Sequence, residues 1–162
     1  MGVDRVEASA KLGAVKEKVE TLLREREYAK AVEEIEAFSR EDIPEERDLE
    51  WAELMVRLAF AQEELGKYDK ETAEAAYEIL KSTDRHREIG TIEWILGKIY
   101  LGLGETKKAL RYLRNSLSEF DRMESEKRKL EVLNTLGQAY FINSRIPDRG
   151  GDRLSCRGSK SS

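Results

Sequence analysis

Trp94-Ile95-Leu96-Gly97-Lys98-Ile99-Tyr100 is followed, 40 positions later, by Asn134-Thr135-Leu136-Gly137-Gln138-Ala139-Tyr140. Leu96 and Leu136, Gly97 and Gly137, and Tyr100 and Tyr140 keep the same intervals, and Leu58-Ala59 is a weaker copy 38 residues before Leu96-Gly97. Ala31 and Ala109 are 78 apart, two periods of 39. A fixed period in this range marks stacked supersecondary units, none of which can bury its apolar stripe alone. The residue types fit that demand. A small side chain at 59, 97 or 137 lets a partner helix approach closely, and Leu one position earlier and Tyr three later share its face. Ala31 and Ala109 are the matching small residues on the partner helices.

Working outward from these stretches, helical periodicity runs almost end to end, and no segment alternates with the period of a strand. The breaks are short and predict seven helices, at about 8–26, 28–39, 47–65, 69–82, 86–103, 106–120 and 123–142. Gly104 offers the left-handed conformation that closes a helix at little cost. Gly66-Lys67 breaks an earlier segment, and Ser82-Thr83-Asp84 is suited to cap the helix that follows it. Composition agrees: of 162 residues 38% are charged, 7% are aromatic and 2 are proline. That balance suits long solvent-facing helices rather than a β-sandwich. The expected fold is all-α, with helix hairpins in one array over 8–142 and a polar, disordered tail over 143–162.

The formal net charge is −4, unevenly placed. The tail holds five basic residues (Arg145, Arg149, Arg153, Arg157, Lys160) against two acids (Asp148, Asp152), so the body is acidic. An acidic body offers no electrostatic footprint for a phosphate backbone, and nucleic acid is not an expected partner. No stretch of about 18 apolar residues is present, so no membrane span is expected. The first residues lack the apolar core of a leader, and Val6 stands where N-myristoylation requires Ser or Thr. A cytoplasmic protein is the expectation. One Cys gives no internal disulfide and one His no histidine-based metal cage.

Leu96-Gly97-x-x-Tyr100, followed by Gly104-Glu105-Thr106-Lys107-Lys108-Ala109, Leu110 and Leu113, resembles the tetratricopeptide repeat. The resemblance covers roughly 12–142, as units at about 12–46, 52–84 and 90–121 and an incomplete one at 130–142. Its period near 40 is similar to that of longer-period members found in scaffold and sensor proteins. HEAT and armadillo repeats have a similar period, but the small-residue and Tyr positions favour the tetratricopeptide pattern. Tyr28-Ala29-Lys30-Ala31 carries the first unit. In the second, Gly66-Lys67-Tyr68-Asp69-Lys70 fits, yet Glu71 stands where the family has Ala and Ala73 comes two residues late. Either that turn is longer or that hairpin opens. The resemblance implies a right-handed α-solenoid that is not an enzyme, a scaffold, sensor or adaptor binding a protein or peptide on its concave face.

In the family, the first helix of each hairpin lines that face through the residues three before, one after and four after the small one. On this chain these are Val56, Phe60 and Glu63, then Trp94, Lys98 and Leu101, then Asn134, Gln138 and Phe141. Lys16, Glu20 and Leu23 would come from the first hairpin. Val56, Phe60 and Trp94 form an apolar anchor of the kind that dominates peptide grooves. Asn134 and Gln138 are amides that both donate to and accept from an extended backbone. Ordinary packing between hairpins is the competing reading of Phe60 and Trp94. Only Lys98 and Asn134 are similar to the residues with which the family's chaperone-tail receptors clamp a terminal carboxylate.

No enzyme constellation emerges. Gly97 and Gly102 have the spacing of a phosphate loop, but Leu103 stands where Lys is needed and no strand precedes. His86 has no second His, and Thr83 rather than Glu lies three positions before it, so it reads as an exposed side chain and not a metal ligand. Cys156 lies beside cations but without a His base. Paired acids such as Glu33-Glu34 and Glu45-Glu46 read as solvated helix faces. No cofactor and no metal are expected.

After Tyr140 the family pattern has a Gly turn and a second helix carrying Ala. This chain instead reads Ile142-Asn143-Ser144-Arg145-Ile146-Pro147. Helix 123–142 is therefore expected either as a cap or as the start of a unit from a longer array. Leu130, Leu133, Leu136, Tyr140 and Phe141 are apolar for a cap, which should be polar outside. The alternative function is structural: self-assembly, such as a homodimer, through the apolar face of helix 123–142.

Overall fold

The computed structural model describes residues 2–38 and 43–145. Among them are seven α-helices and no strand: α1 Gly2–Arg24, α2 Tyr28–Glu36, α3 Asp48–Glu64, α4 Lys70–Leu80, α5 His86–Gly102, α6 Thr106–Arg122 and α7 Glu126–Arg145. A short 3-10 turn, Glu45–Arg47, precedes α3. The chain is all-α, and no described helix is long and apolar enough to cross a membrane. Boundaries differ from expectation by three residues or more at three helices. α2 ends at Glu36 and not at 39. α1 starts at Gly2, because nothing in the residues before 8 breaks a helix, and α7 runs from Glu126 to Arg145 instead of 123–142. Of the tail expected at 143–162, the first three residues thus belong to α7, and 146–162 lie outside the described residues.

The ends of α1, α3, α5 and α6 follow one rule. The last carbonyls of a helix have no intrahelical donor, and a residue with positive φ turns the chain so that the next amides reach back to them. After α1, the Glu27 N–H donates to Leu22 O at 2.8 Å and the Arg26 N–H to Leu23 O at 3.1 Å. The same pair of bonds recurs from Lys67 and Gly66 after α3, from Glu105 and Gly104 after α5, and from Ser125 and Glu124 after α6. The bend residues are Arg26 (φ 62°), Gly66 (75°), Gly104 (82°) and Glu124 (57°). With no glycine to mark it, the α6–α7 turn at 123–125 reads as helix in the sequence. Ser82-Thr83-Asp84 acts at both helix ends it joins: the Thr83 oxygen accepts the Arg85 N–H at 3.2 Å just before α5. The Thr83 hydroxyl donates to Leu80 O at 2.7 Å at the end of α4, and α5 itself begins with no side-chain cap. α4 is the capped helix: Asp69 Oδ1 accepts the Thr72 N–H at 3.1 Å.

Each helix packs on the next in the chain, α3 also contacts α1 and α5, and α7 contacts α5. The turn at 103–105 is too short for anything but an antiparallel α5–α6 pair. Between those two helices the small-residue idea is met in detail: a Cβ added to Gly97 would stand 2.6 Å from Leu113 Cδ2 and 3.4 Å from Ala109 O. Leu113, Leu96, Ile92 and Phe120 are buried around this contact, each contributing roughly 1.5–3 kcal/mol by leaving water. Ala31, Ala59 and Ala109 are buried too. So is Ala73. The α3–α4 turn, 65–69, is longer than 103–105, and the extra residues carry the late alanine into the contact that Glu71 cannot make.

The repeat also governs polar contacts. The Tyr100 hydroxyl is bonded to Glu74 of α4, and the Tyr140 hydroxyl accepts from Arg114 of α6 at 2.7 Å, each pair 26 residues apart. α4 therefore stands to α5 as α6 stands to α7.

Candidate functional site

Odd-numbered helices touch in series, and their shared side carries a groove of about 390 Å³. Val56 and Phe60 of α3 line it together with Glu20 and Leu23 of α1. Tyr28 and Phe60 meet edge to face with ring centroids 6.3 Å apart, so the floor is aromatic and apolar. The walls are mostly basic: Arg24, Arg26, Arg57, Arg87 of α5 and Arg128 of α7 all border the space, with Glu88 of α5 and Glu20 of α1 as the acids among them. Two of the five arginines are committed. Arg57 is bonded to Glu20, and Arg128 pairs with Glu131 at 2.8 Å while its guanidinium lies 5.7 Å from the centre of the Phe60 ring. Arg24, Arg26 and Arg87 have no carboxylate partner among the described residues. An acidic chain thus concentrates unpaired cations around an apolar floor.

The middle of the expected groove is closed. Trp94 is 7% exposed, and its indole N–H donates to Thr135 Oγ1 at 2.9 Å. The Lys98 ammonium sits 4.5 Å from the centre of the Trp94 ring and pairs with Glu63 of α3. Leu101 is half-buried against the core. Trp94 and Lys98 therefore tie α5 to α7 and to α3, and packing accounts for the place of Trp94. Lys16 is likewise committed, to Glu53 at 3.6 Å and Glu50 at 3.8 Å.

Asn134, Gln138 and Phe141 belong to a second, separate surface. With Leu133, Gly137 and Ile142 they line a shallow depression of about 540 Å³ on α7. Phe141 is 62% exposed, and a Cβ added to Gly137 meets nothing within 4 Å. The eight residues expected along one surface are thus divided: two in the groove, three on α5 outside it and three on α7.

Sequence reasoning passed over Arg24, Arg26, Tyr28, Arg57, Arg87, Thr91 and Arg128. For α5 a signal exists, because Arg87 and Thr91 continue the Trp94–Lys98 stripe toward the helix start at helical spacing. Arg26 lies in a turn and Arg128 comes from 41 residues beyond Arg87 in the chain, and no periodicity points to either.

One buried ionisable pair lies away from the groove. Glu93 of α5 is 3% exposed, accepts the Tyr77 hydroxyl at 3.0 Å on Oε2, and has no partner on Oε1. Burial lifts its carboxyl to about 7, the Tyr77 hydrogen bond opposing this and the charge of Glu119 adding to it. Burial and then the charge of Glu93 push the Tyr77 hydroxyl upward as well. The pair lies among α4, α5 and α6, where the partly buried Tyr77 meets Tyr112 of α6 edge to face. His86, expected exposed, is half-buried, with Nδ1 2.8 Å from Glu119. Among the described residues no group of three or more His, Cys, Asp or Glu is placed to hold a metal ion. Cys156 lies outside the described residues. No protein-family model, curated protein or solved structure matches this chain.

Proposed function

We propose that this chain is a tetratricopeptide-type, right-handed array of helix hairpins that works without catalysis as a cytoplasmic scaffold or adaptor, binding a protein segment on the face shared by α1, α3, α5 and α7. Buried small residues at 31, 59, 97 and 109 support the array, as do the repeated turn closures and the equivalent Tyr100–Glu74 and Tyr140–Arg114 contacts. The observation that carries the binding role is the groove around Val56 and Phe60, where an aromatic floor is bordered by three arginines that have no carboxylate partner among the described residues. Such a site favours a segment with one large apolar side chain and acidic residues beside it: burial supplies affinity, and the guanidinium groups supply charge-assisted hydrogen bonds.

Selection from a library of displayed linear peptides tests the proposal. Enriched sequences should combine an aromatic or large aliphatic residue with nearby Asp or Glu, and Phe60→Ala or Arg87→Glu should weaken their binding about tenfold. A selection that enriches nothing, or sequences indifferent to both substitutions, would rule it out.

A further inference from the structure

α5 and α7 occupy equivalent places in the repeat, yet one is covered and the other is bare. On α5, Leu113 of α6 closes directly over Gly97, and Tyr112 stacks on Tyr100 with ring centroids 5.6 Å apart and planes within 2° of parallel. Tyr100 is 2% exposed as a result. Forty residues on, Gly137 faces open space and Tyr140 is 45% exposed. Leu130, Leu133 and Phe141 are exposed on the same helix. Every other large exposed hydrophobic among the described residues (Leu65, Tyr68, Leu103) sits in a turn between helices. The bare apolar surface is therefore confined to α7, around the glycine whose counterpart receives a helix.

From this equivalence we infer that the outer face of α7 is a docking slot for one amphipathic helix, laid antiparallel on it as α6 lies on α5. α6 supplies the recognition pattern. Ala109, Tyr112 and Leu113 are the residues that meet Gly97 and Tyr100, so the docking helix presents Ala-x-x-aromatic-Leu, its Leu over Gly137 and its aromatic ring over Tyr140. One position must differ. A Cβ on Gly90 would lie 2.8 Å from the Phe120 ring, and the residue 40 beyond Gly90 is Leu130. On a helix docked in that way, Leu130 would take the space that Phe120 uses on α5, so the docking helix carries a small residue seven positions after its Leu. The rim at Asn134 and Gln138 is uncharged and asks for no ion pair. The slot lies apart from the Phe60 groove and does not depend on it.

The probe is a fluorescein-labelled peptide with the α6 sequence 106–122 carrying Phe120→Ala. A covalent bridge between positions 107 and 111, both exposed on α6, keeps it helical, since a helix this short is unstable alone. Titrated with the full chain and followed by anisotropy, it should bind saturably. Gly137→Leu in the chain, or Leu113→Asp in the peptide, should weaken binding about tenfold or more, while Phe60→Ala in the chain leaves it unchanged. Gly137→Leu enters open space, and its circular dichroism should match the parent. No saturable binding by the bridged peptide, or binding insensitive to Gly137→Leu, overturns the inference. So does a chain that dimerises through Leu133 and thereby excludes the peptide, because the face then belongs to a second copy.

Discussion

Replacing Gly97 and Gly137 by alanine, one at a time, makes the same chemical change at the same position of the repeat and should shift stability in opposite directions. In the middle of a helix, Ala is favoured over Gly by about 1 kcal/mol, because the glycine backbone loses more freedom on folding. At Gly137 nothing within 4 Å meets the new methyl group, so Gly137→Ala should gain up to about 1 kcal/mol. At Gly97 the methyl group would stand 2.6 Å from both Leu113 Cγ and Cδ2, and 3.4 Å from the backbone oxygen of Ala109. Leu113 is fully buried and cannot swing away. Overpacking of this kind costs about 1–3 kcal/mol; a contact of 2.6 Å with a fully buried side chain lies above the low end of that range, so the cost outweighs the propensity gain and leaves Gly97→Ala up to about 2 kcal/mol less stable than the parent. Urea unfolding followed by tryptophan fluorescence would read the difference as opposite shifts in midpoint at unchanged slope. In a chain of this length the melting temperature should move by about 2–4 °C per kcal/mol. If Gly97→Ala proved as stable as the parent, or Gly137→Ala less stable, the equivalence of the two helices and the closeness of the α5–α6 contact would both be wrong.

Glu93→Gln should change how stability depends on pH. The folded carboxyl is lifted from an ordinary 4.5 to about 7, so the folded chain holds this proton more tightly than the unfolded one. That contribution is fully present below about 4.5 and is lost as pH rises through about 7. The stability of the variant relative to the parent should therefore rise between pH 5 and 8, by on the order of 3 kcal/mol, in paired denaturation curves. A difference that stays flat with pH refutes the shift. Thr135→Val leaves the buried indole N–H of Trp94 without its acceptor and should cost about 1–3 kcal/mol. In a cycle with Trp94→Phe the double variant should lose less than the sum of the two single losses, and strict additivity would show that the bond contributes nothing.

The helices were legible in the sequence because helix formation is local. Apolar spacing of three and four residues marks the buried stripe of each one, and Gly66 and Gly104 mark two of the four positive-φ bends. Arg26 and Glu124 make the same bend without the residue type that announces it. The groove was legible by halves. Val56, Phe60, Glu20 and Leu23 follow from the repeat register, but the arginines that give the groove its charge come from the end of α1, a turn, and the starts of α5 and α7.

Trp94 and Gly137 mark where local reading stops. Trp94 looks like a presented anchor until Thr135, 41 residues away, is seen to accept its N–H. Gly97 and Gly137 sit in nearly the same words of sequence, yet one lies beneath Leu113 and the other faces open space. By itself the sequence determined that the chain is helical, where most helices end, and which residues share a face. Whether a face is covered depends on a second helix arriving at it. Only the tertiary structure decides that, because side-chain spacing fixes direction along one helix and carries no information about what stands opposite.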